Sequence, residues 1–281
     1  MPEGHKIHRL AKDLNQRFKS TRIDAESPQG RFSKGATLIN SSVVTSAQAW
    51  GKHLTIQTSK DLFVHIHLGL YGRFKFSSAP GAEAGETVRL RLRNNHSVFD
   101  LTGPSCCELL DLKELDELHE RLGPDPIRPS ASYEEVWRTI RNSKVPIGKI
   151  LLEQRKISGV GNIYRAEALF ATQINPNRQA KELEEIEFER LWDWLVTHMR
   201  LGVSSNRIIP NAELTKEMMV YGQEKCPAAN GGLKSGTWEV GKCSHASIVK
   251  NELGQLMRLI VRITEQSKKI VPAGIAFVRL S

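Results

Sequence analysis

The residues best suited to chemistry lie at the start of the chain, where Pro2 is followed by Glu3. Once the initiator methionine is removed, Pro2 carries a free secondary amine. An α-amine has a pKa of about 7.7 to 8.0, and the positive end of a helix lowers it further, so part of it is unprotonated at neutral pH. Such an amine attacks an aldehyde-like carbon to give a cationic iminium, and Glu3 can move protons around that centre. A Pro-Glu pair also opens many helices without any catalytic role, so both interpretations stand at this point.

Two further segments carry residues that suit a phosphate-containing ligand. Gly159 and Gly161 precede Asn162 at the predicted start of a helix, where backbone N–H groups and the helix dipole favour an anion. Asn162 can cap that helix and donate its side-chain amide to a phosphate oxygen. Lys52 follows a glycine at the start of a predicted strand. An ordinary turn between helices and a solvated surface lysine are the alternatives.

A short apolar segment also stands out. Leu70 and Tyr71 lie between Gly69 and Gly72, a spacing that predicts a tight, exposed loop. Apolar side chains at such a tip are unfavourable unless another molecule receives them. Packing of Leu70 into the core is the alternative.

Composition limits the kind of protein that carries these residues. The 281-residue chain has 40 Lys and Arg against 31 Asp and Glu, a formal charge of +9 that favours a polyanionic partner. Its 40% hydrophobic and 25% charged residues exclude a disordered or collagen-like protein. Four cysteines are too few for a disulfide framework, and the adjacent Cys106 and Cys107 are expected to pack as small apolar side chains. With no long apolar stretch and no apolar signal segment, we expect a cytoplasmic protein without a membrane partner.

Hydrophobic periodicity predicts the elements that position these residues. An amphipathic helix runs from about residue 7 to 18, and short strands and turns fill 37–76. The alternation at 87–92 predicts a strand that buries Val88, Leu90 and Leu92. Later helices are predicted at about 112–122, 133–141, 148–156, 162–173 and 183–199. The fold class is therefore α+β, a β-rich N-terminal domain led by one helix and followed by a helical domain.

Four sequence blocks stand in order within residues 1–170. They read MPEGHKIHR at 1–9, AWGKHL at 49–54, HLGLYG at 67–72, and PIGKILLEQ at 146–154 running into ISGVGNIYRAEALF at 157–170. Together they closely resemble the formamidopyrimidine-DNA glycosylase and endonuclease VIII family. The last block looks like that family's helix-two-turn-helix. Tyr71 fits the endonuclease VIII branch better, although Gly69 departs from the glutamine of that branch.

The resemblance implies both a domain layout and a catalytic pair. It implies a catalytic β-sandwich at 1–123, a linker at 124–129, a helix-two-turn-helix domain at 130–220 and an atypical zinc-finger region at 221–281. In that family the proline corresponding to Pro2 is the nucleophile and the glutamate corresponding to Glu3 is the general acid/base. The implied function is a bifunctional DNA glycosylase and apurinic/apyrimidinic lyase that removes oxidised bases.

The same resemblance implies the contacts with DNA. Lys52 corresponds to a lysine that contacts a phosphate beside the lesion, and Asn162 lies in the DNA-binding turn. Leu70 and Tyr71 take the place of residues that fill the gap after the damaged nucleotide is flipped out. The implied partner is damaged double-stranded DNA, bound by a monomer, and the chemistry requires no cofactor.

The chain departs from the family pattern between residues 94 and 99. This segment takes the place of a loop that reads the opposite base in the formamidopyrimidine branch. Phe99 matches that loop, but the segment contains no arginine. No opposite-base preference follows from these residues.

A second departure lies near the C-terminus. The family has a zinc hairpin with two Cys-x-x-Cys pairs, but Ala229 and Ala246 leave only Cys226 and Cys243. His245 offers at most a third ligand, whereas a closed structural zinc site has four. We therefore expect no tightly bound structural zinc, and we assign no metal ligands. The spacing of apolar residues over 247–266 predicts an amphipathic helix instead.

Two other classes of function remain open from the sequence. A non-catalytic binder of damaged DNA would keep the DNA surface and lose the finger, but the intact Pro2-Glu3 pair argues against it. A helix-turn-helix regulator needs no free N-terminal proline and would discriminate among undamaged sequences.

Overall fold

The computed structural model describes residues 2–78, 81, 83–210 and 217–222. Its first element is helix α1 (Gly4–Phe18). Its buried side recurs at helical spacing and includes Ile7, Leu10, Leu14 and Phe18. The helix packs mainly against strand β2 (Val44–Trp50). The predicted N-terminal helix is therefore confirmed, and it starts directly after the Pro2-Glu3 pair.

The rest of the N-terminal half is mostly strand. Its other elements are β1 (Asp24–Glu26), α2 (Ser33–Ile39), β3 (His53–Thr58), β4 (Phe63–His67), β5 (Arg73–Ser78), β6 (Val88–Arg93), β7 (Ser97–Thr102) and β8 (Cys106–Leu110). They form two four-stranded sheets, with strand orders β1-β6-β7-β5 and β2-β3-β4-β8. Every paired strand is antiparallel to its neighbour.

One hydrophobic core joins both sheets to α1. Leu54 and Val64 of one sheet and Leu92 and Phe99 of the other belong to the same buried cluster. The expected β-sandwich led by one helix is confirmed. In β6, Val88, Leu90 and Leu92 are all buried, as the alternation of apolar residues predicts.

Two local predictions for this half are wrong. Residues 37–39 complete helix α2 instead of starting a strand, because Ala36 and Ile39 lie three positions apart and are buried on one helical side. Phe99 does not lie in a base-reading loop. It lies within β7 and is fully buried in the core, with its ring tilted at 45° to that of Phe76.

The second half is helical. Its helices are α3 (Leu112–Glu120), α4 (Tyr133–Ile140), α5 (Ile147–Ile150), α6 (Asn162–Ala171) and α7 (Glu185–Ser205). A second hydrophobic cluster, which includes Ile150, Tyr164, Phe188 and Leu195, holds α4 to α7 together. The predicted helical domain is therefore present.

Helix α5 is much shorter than the predicted 148–156. After Ile150 the chain makes two turns, which the side-chain amide of Gln154 stabilises from inside. Its Nε2 donates to the carbonyls of Leu152 and Val160, and its Oε1 accepts from the N–H of Gly159, each at 3.0 Å. A polar side chain that bonds the backbone in this way competes with continued helix. The result is a helix, two turns and a second helix, α6.

None of the helices in the described ranges is long and apolar enough to cross a membrane. The predictions for 247–266 and for Cys226, Cys243 and His245 lie outside the described residues.

Candidate active site

Glu3 connects the start of the chain to the start of helix α6. It is the N-cap residue of α1, but its side chain makes no capping bond to that helix. Instead, its carboxylate accepts hydrogen bonds from the N–H groups of Gly161 at 3.0 Å, Ile163 at 2.8 Å and Tyr164 at 3.3 Å. These are amides that the first turn of a helix leaves without intrahelical partners. Glu3 therefore supplies the anion that the N-terminus of α6 favours.

The environment of Glu3 changes its acidity. Its side chain is almost fully buried, with 2% of the residue exposed. Burial raises the pKa of this carboxyl, while the three N–H donors and the charge of Lys52 limit the rise. Burial also lowers the pKa of Lys52, and the charge of Glu3 opposes that shift. A raised pKa brings this carboxyl closer to the pH at which the protein works, which favours proton transfer in both directions.

Three glycines allow the segments that carry these groups to meet. The N–H of Gly4 donates to the carbonyl of Gly159 at 2.8 Å. A Cβ on Gly51 would lie 2.9 Å from the backbone nitrogen of Gly159, and a Cβ on Gly4 would lie 3.0 Å from its Cα. Gly51 and Gly159 also have φ values of +58° and +90°. The start of α1, the turn between β2 and β3, and the turn before α6 therefore approach closely only because all three positions lack a side chain.

Asp125 fixes the turn that carries Lys52. Its Oδ2 accepts from the N–H of Gly51 at 2.7 Å and lies 2.7 Å from Nε2 of His8, while its Oδ1 accepts from the N–H of Ile127 at 2.9 Å. The residue is almost fully buried. This carboxylate therefore joins α1, the β2–β3 turn and the segment 124–129. The boundary drawn at 124–129 stays a prediction, but this segment makes bonds to the N-terminal half.

The structure brings four of the predicted site residues into one region. Pro2 is half-buried directly before Glu3, and Lys52 is close enough to Glu3 for each charge to affect the other's pKa. Asn162 begins α6, whose first-turn amides bond Glu3. The four residues come from three separate parts of the sequence.

Asn162 does not cap helix α6, although its position after the Gly-x-Gly turn predicts that it does. The N-cap of α6 is Gly161, and Asn162 is the first helical residue, with an exposed side chain. The predicted cap is therefore wrong, and the N–H groups of Gly161, Ile163 and Tyr164 are bonded within the protein instead of being free for phosphate. The physical reason is that Glu3, which is distant in sequence, occupies those amides. The side chain of Asn162 is exposed to solvent.

Leu70 and Tyr71 lie at the tip of the turn between β4 and β5. The two residues are 65% and 83% exposed, so Leu70 does not pack into the core. The N–H of Gly72 donates to the carbonyl of Leu68 at 2.9 Å and closes the turn. The predicted tight loop with exposed apolar side chains is confirmed.

Two buried carboxylates form backbone hydrogen bonds that the sequence does not predict. Asp125 lies in the predicted linker, and Glu167 lies within the block at 157–170. Glu167 is fully buried in α6 and accepts from the N–H groups of Met219, Val220 and Tyr221 at 2.7–3.0 Å. An acidic residue within the otherwise apolar stretch 166–170 is the one feature that could have indicated a buried, bonded carboxylate.

Comparisons with known proteins agree with this arrangement. Residues 1–112 match the family described as Formamidopyrimidine-DNA glycosylase N-terminal domain, and residues 122–212 match the Formamidopyrimidine-DNA glycosylase H2TH domain. Endonuclease 8 1 of Mycobacterium tuberculosis is 41% identical over 213 residues, which cover 74% of this chain and 80% of that protein. This chain belongs to the formamidopyrimidine-DNA glycosylase and endonuclease 8 family.

Proteins of lower sequence identity from the same family also match this chain. Formamidopyrimidine-DNA glycosylase of Moorella thermoacetica is 27% identical over 225 residues, covering 73% of this chain and 78% of that protein. The crystal structure of Lactococcus lactis formamidopyrimidine-DNA glycosylase bound to DNA containing an abasic site has a TM-score of 0.67 and 19% identity. That match covers 82% of this chain and 92% of the solved one. At this identity the structural likeness establishes the fold, and family membership rests on the sequence matches.

Proposed function

We propose that this protein is a bifunctional DNA glycosylase and apurinic/apyrimidinic lyase of base excision repair, which removes oxidised bases from double-stranded DNA. The observation that carries the proposal is the position of Glu3. It places a buried carboxyl with a raised pKa directly after Pro2 and beside Lys52. A proline amine and a proton carrier are the two groups that an iminium mechanism requires.

In the proposed reaction, the lone pair of the Pro2 nitrogen attacks the anomeric carbon of the damaged nucleotide. The bond between that carbon and the base breaks, and the base leaves with the electron pair and takes up the proton that the Pro2 nitrogen loses. Glu3 delivers a proton as the sugar ring opens, so the product is a cationic iminium that joins Pro2 to the sugar. Loss of a proton from the neighbouring sugar carbon then expels the 3′ phosphate and cuts the strand.

Other residues of the proposed site hold the DNA. Lys52 and Asn162 bind phosphates, and Leu70 and Tyr71 fill the gap left by the extruded nucleotide. The formal charge of +9 adds a sequence-independent attraction to the phosphate backbone. We further propose that the protein acts as a monomer in the cytoplasm and that its chemistry uses no cofactor.

Borohydride trapping tests the covalent step. Reduction of an iminium yields a permanent protein–DNA bond, so a panel of duplexes with oxidised pyrimidines, oxidised purines or abasic sites reports both the reaction and the lesion preference. Peptide mapping of the trapped product should place the bond at residue 2. Intact mass should show that Met1 is absent from the active protein.

The matched control for trapping is the same chain with an uncleaved N-terminal extension. The extension turns the proline nitrogen into a peptide nitrogen without a lone pair for attack, and it leaves all side chains unchanged. Trapping should disappear, while binding to the duplex persists. Trapping at a lysine, or cleavage by protein that retains Met1, would show that Pro2 is not the nucleophile. Binding without any trapping or cleavage on the whole panel would favour the non-catalytic alternative.

A further inference from the structure

Three possible metal ligands meet on the side of the second sheet that faces away from the core. His65 in β4 pairs directly with Glu108 in β8, and Cys106 lies two residues before Glu108. Alternate residues of a strand share a face, so Cys106 and Glu108 lie on the same side of β8. Cys107 points the other way and packs against the hydrophobic core. The expectation that both cysteines pack as apolar side chains therefore holds for Cys107 and is wrong for Cys106.

The distances among the three side chains suit one tetrahedral ion. Their ligand atoms all lie within 4.8 Å of one another. Cys106 Sγ lies 3.7 Å from His65 Nδ1, and Glu108 Oε1 lies 2.9 Å from the same nitrogen. Zinc bonds of about 2.3 Å to sulfur and 2.0–2.1 Å to nitrogen separate two tetrahedral ligands by about 3.6 Å. The sulfur and nitrogen already meet that spacing, and the carboxylate of Glu108, which is 52% exposed, must move by roughly half an ångström.

A neighbouring histidine orients His65 for this role. His65 Nε2 lies 2.9 Å from Nδ1 of His53, and the two rings stack with centroids 5.1 Å apart. An ion on Nδ1 of His65 requires the ring proton to sit on Nε2, where His53 can accept it. Metal-binding histidines usually donate their second ring N–H to an acceptor such as a carboxylate, a backbone carbonyl or water, and His53 takes the place of that acceptor here. The strand pairing of β3, β4 and β8 thus holds both the ligands and this supporting residue.

We propose that His65, Cys106 and Glu108 bind one divalent transition-metal ion of the zinc class, with a fourth position open to solvent. Thiolate, imidazole and carboxylate together suit Zn²⁺ better than the oxygen-preferring Mg²⁺ or Ca²⁺. The site uses none of the residues proposed for glycosylase chemistry, and it is separate from Cys226 and Cys243.

Cobalt substitution tests the site. The full chain, purified without a histidine tag and carrying Cys226→Ser and Cys243→Ser, is titrated with CoCl₂. We expect one equivalent of Co²⁺ and a thiolate-to-cobalt charge-transfer band, both displaced by ZnCl₂. Adding Cys106→Ser should remove the band, whereas the matched variant Cys107→Ser should retain it.

Two further variants keep the test independent of folding. Glu108→Gln alters a half-exposed side chain and should weaken Zn²⁺ affinity at least tenfold with unchanged circular dichroism. His53→Phe should weaken it by about 10- to 100-fold through the loss of the supporting contact. The proposal fails if the starting chain binds no Co²⁺ or Zn²⁺ at micromolar concentrations, or if the band survives Cys106→Ser. Neither result bears on borohydride trapping, so the two proposals are tested separately.

Discussion

Replacing Glu3 with Gln is the most informative single change, because it removes the proposed proton carrier and keeps nearly the same shape. Glu3 Oε2 accepts two backbone N–H groups and Oε1 accepts one. A glutamine oxygen can keep the pair from Gly161 and Tyr164. Its NH₂ group then faces the N–H of Ile163, so one donor loses its acceptor.

The structure predicts effects of different size on cleavage rate, stability and DNA affinity. General acid–base catalysis contributes about 10²- to 10⁴-fold, so cleavage should fall by that factor, or about 3–5 kcal/mol in the barrier. One unsatisfied buried donor costs about 1–3 kcal/mol of stability, and removal of a buried charge offsets part of that loss. The variant should therefore stay folded at 25 °C. Affinity for damaged duplex should change by less than about threefold, since phosphate contacts dominate binding.

Single-turnover cleavage of the preferred lesion duplex gives the rate, and fluorescence anisotropy on the same duplex gives the affinity. Thermal unfolding of both proteins serves as the folding control. A loss of affinity as large as the loss of cleavage would show that Glu3 mainly holds the fold together. Cleavage within tenfold of the unchanged protein would refute the assignment of Glu3 as the proton carrier.

Three further predictions follow from the same contacts. Asp125→Asn should lower stability by about 1–3 kcal/mol in urea unfolding and slow cleavage, because the oxygen that keeps His8 and the Gly51 N–H leaves an NH₂ group facing the N–H of Ile127; Asp24→Asn, at an exposed ion pair, should stay within about 1 kcal/mol. Asn162→Ala should weaken binding to damaged and undamaged duplexes alike in anisotropy titrations, with unchanged unfolding, and undiminished affinity would remove it from the DNA surface. Because the pKa of Glu3 is raised in the folded protein, its stabilising effect is complete below its ordinary value of 4.5 and is lost as pH rises through the folded value. Relative to the unchanged protein, Glu3→Gln should therefore gain stability as pH rises above the ordinary glutamate pKa of 4.5 in urea unfolding, and a constant difference would contradict the raised pKa.

Much of the fold follows from local sequence. In helix α1 and strand β6 the apolar residues recur at the spacing that places them on one buried side of the element. This spacing can be read from the sequence without knowing what the element packs against. The exposed tip at Leu70 and Tyr71 follows in the same way, because flanking glycines confine it to a tight turn. The proposal that Pro2 and Glu3 are catalytic also comes from sequence, through four family blocks that keep the family's order.

The partners of those residues were decided only by the tertiary structure. Glu3 bonds the amide of Gly161, 158 residues away, and Asp125 bonds that of Gly51, 74 residues away. No period or propensity encodes such pairs, since they depend on how α1, the β2–β3 turn and the start of α6 pack together. The same holds for His65, Cys106 and Glu108, which strand pairing brings onto one face of a sheet. Sequence thus determined which groups are available for chemistry, while packing determined their neighbours, their burial and therefore their acidity.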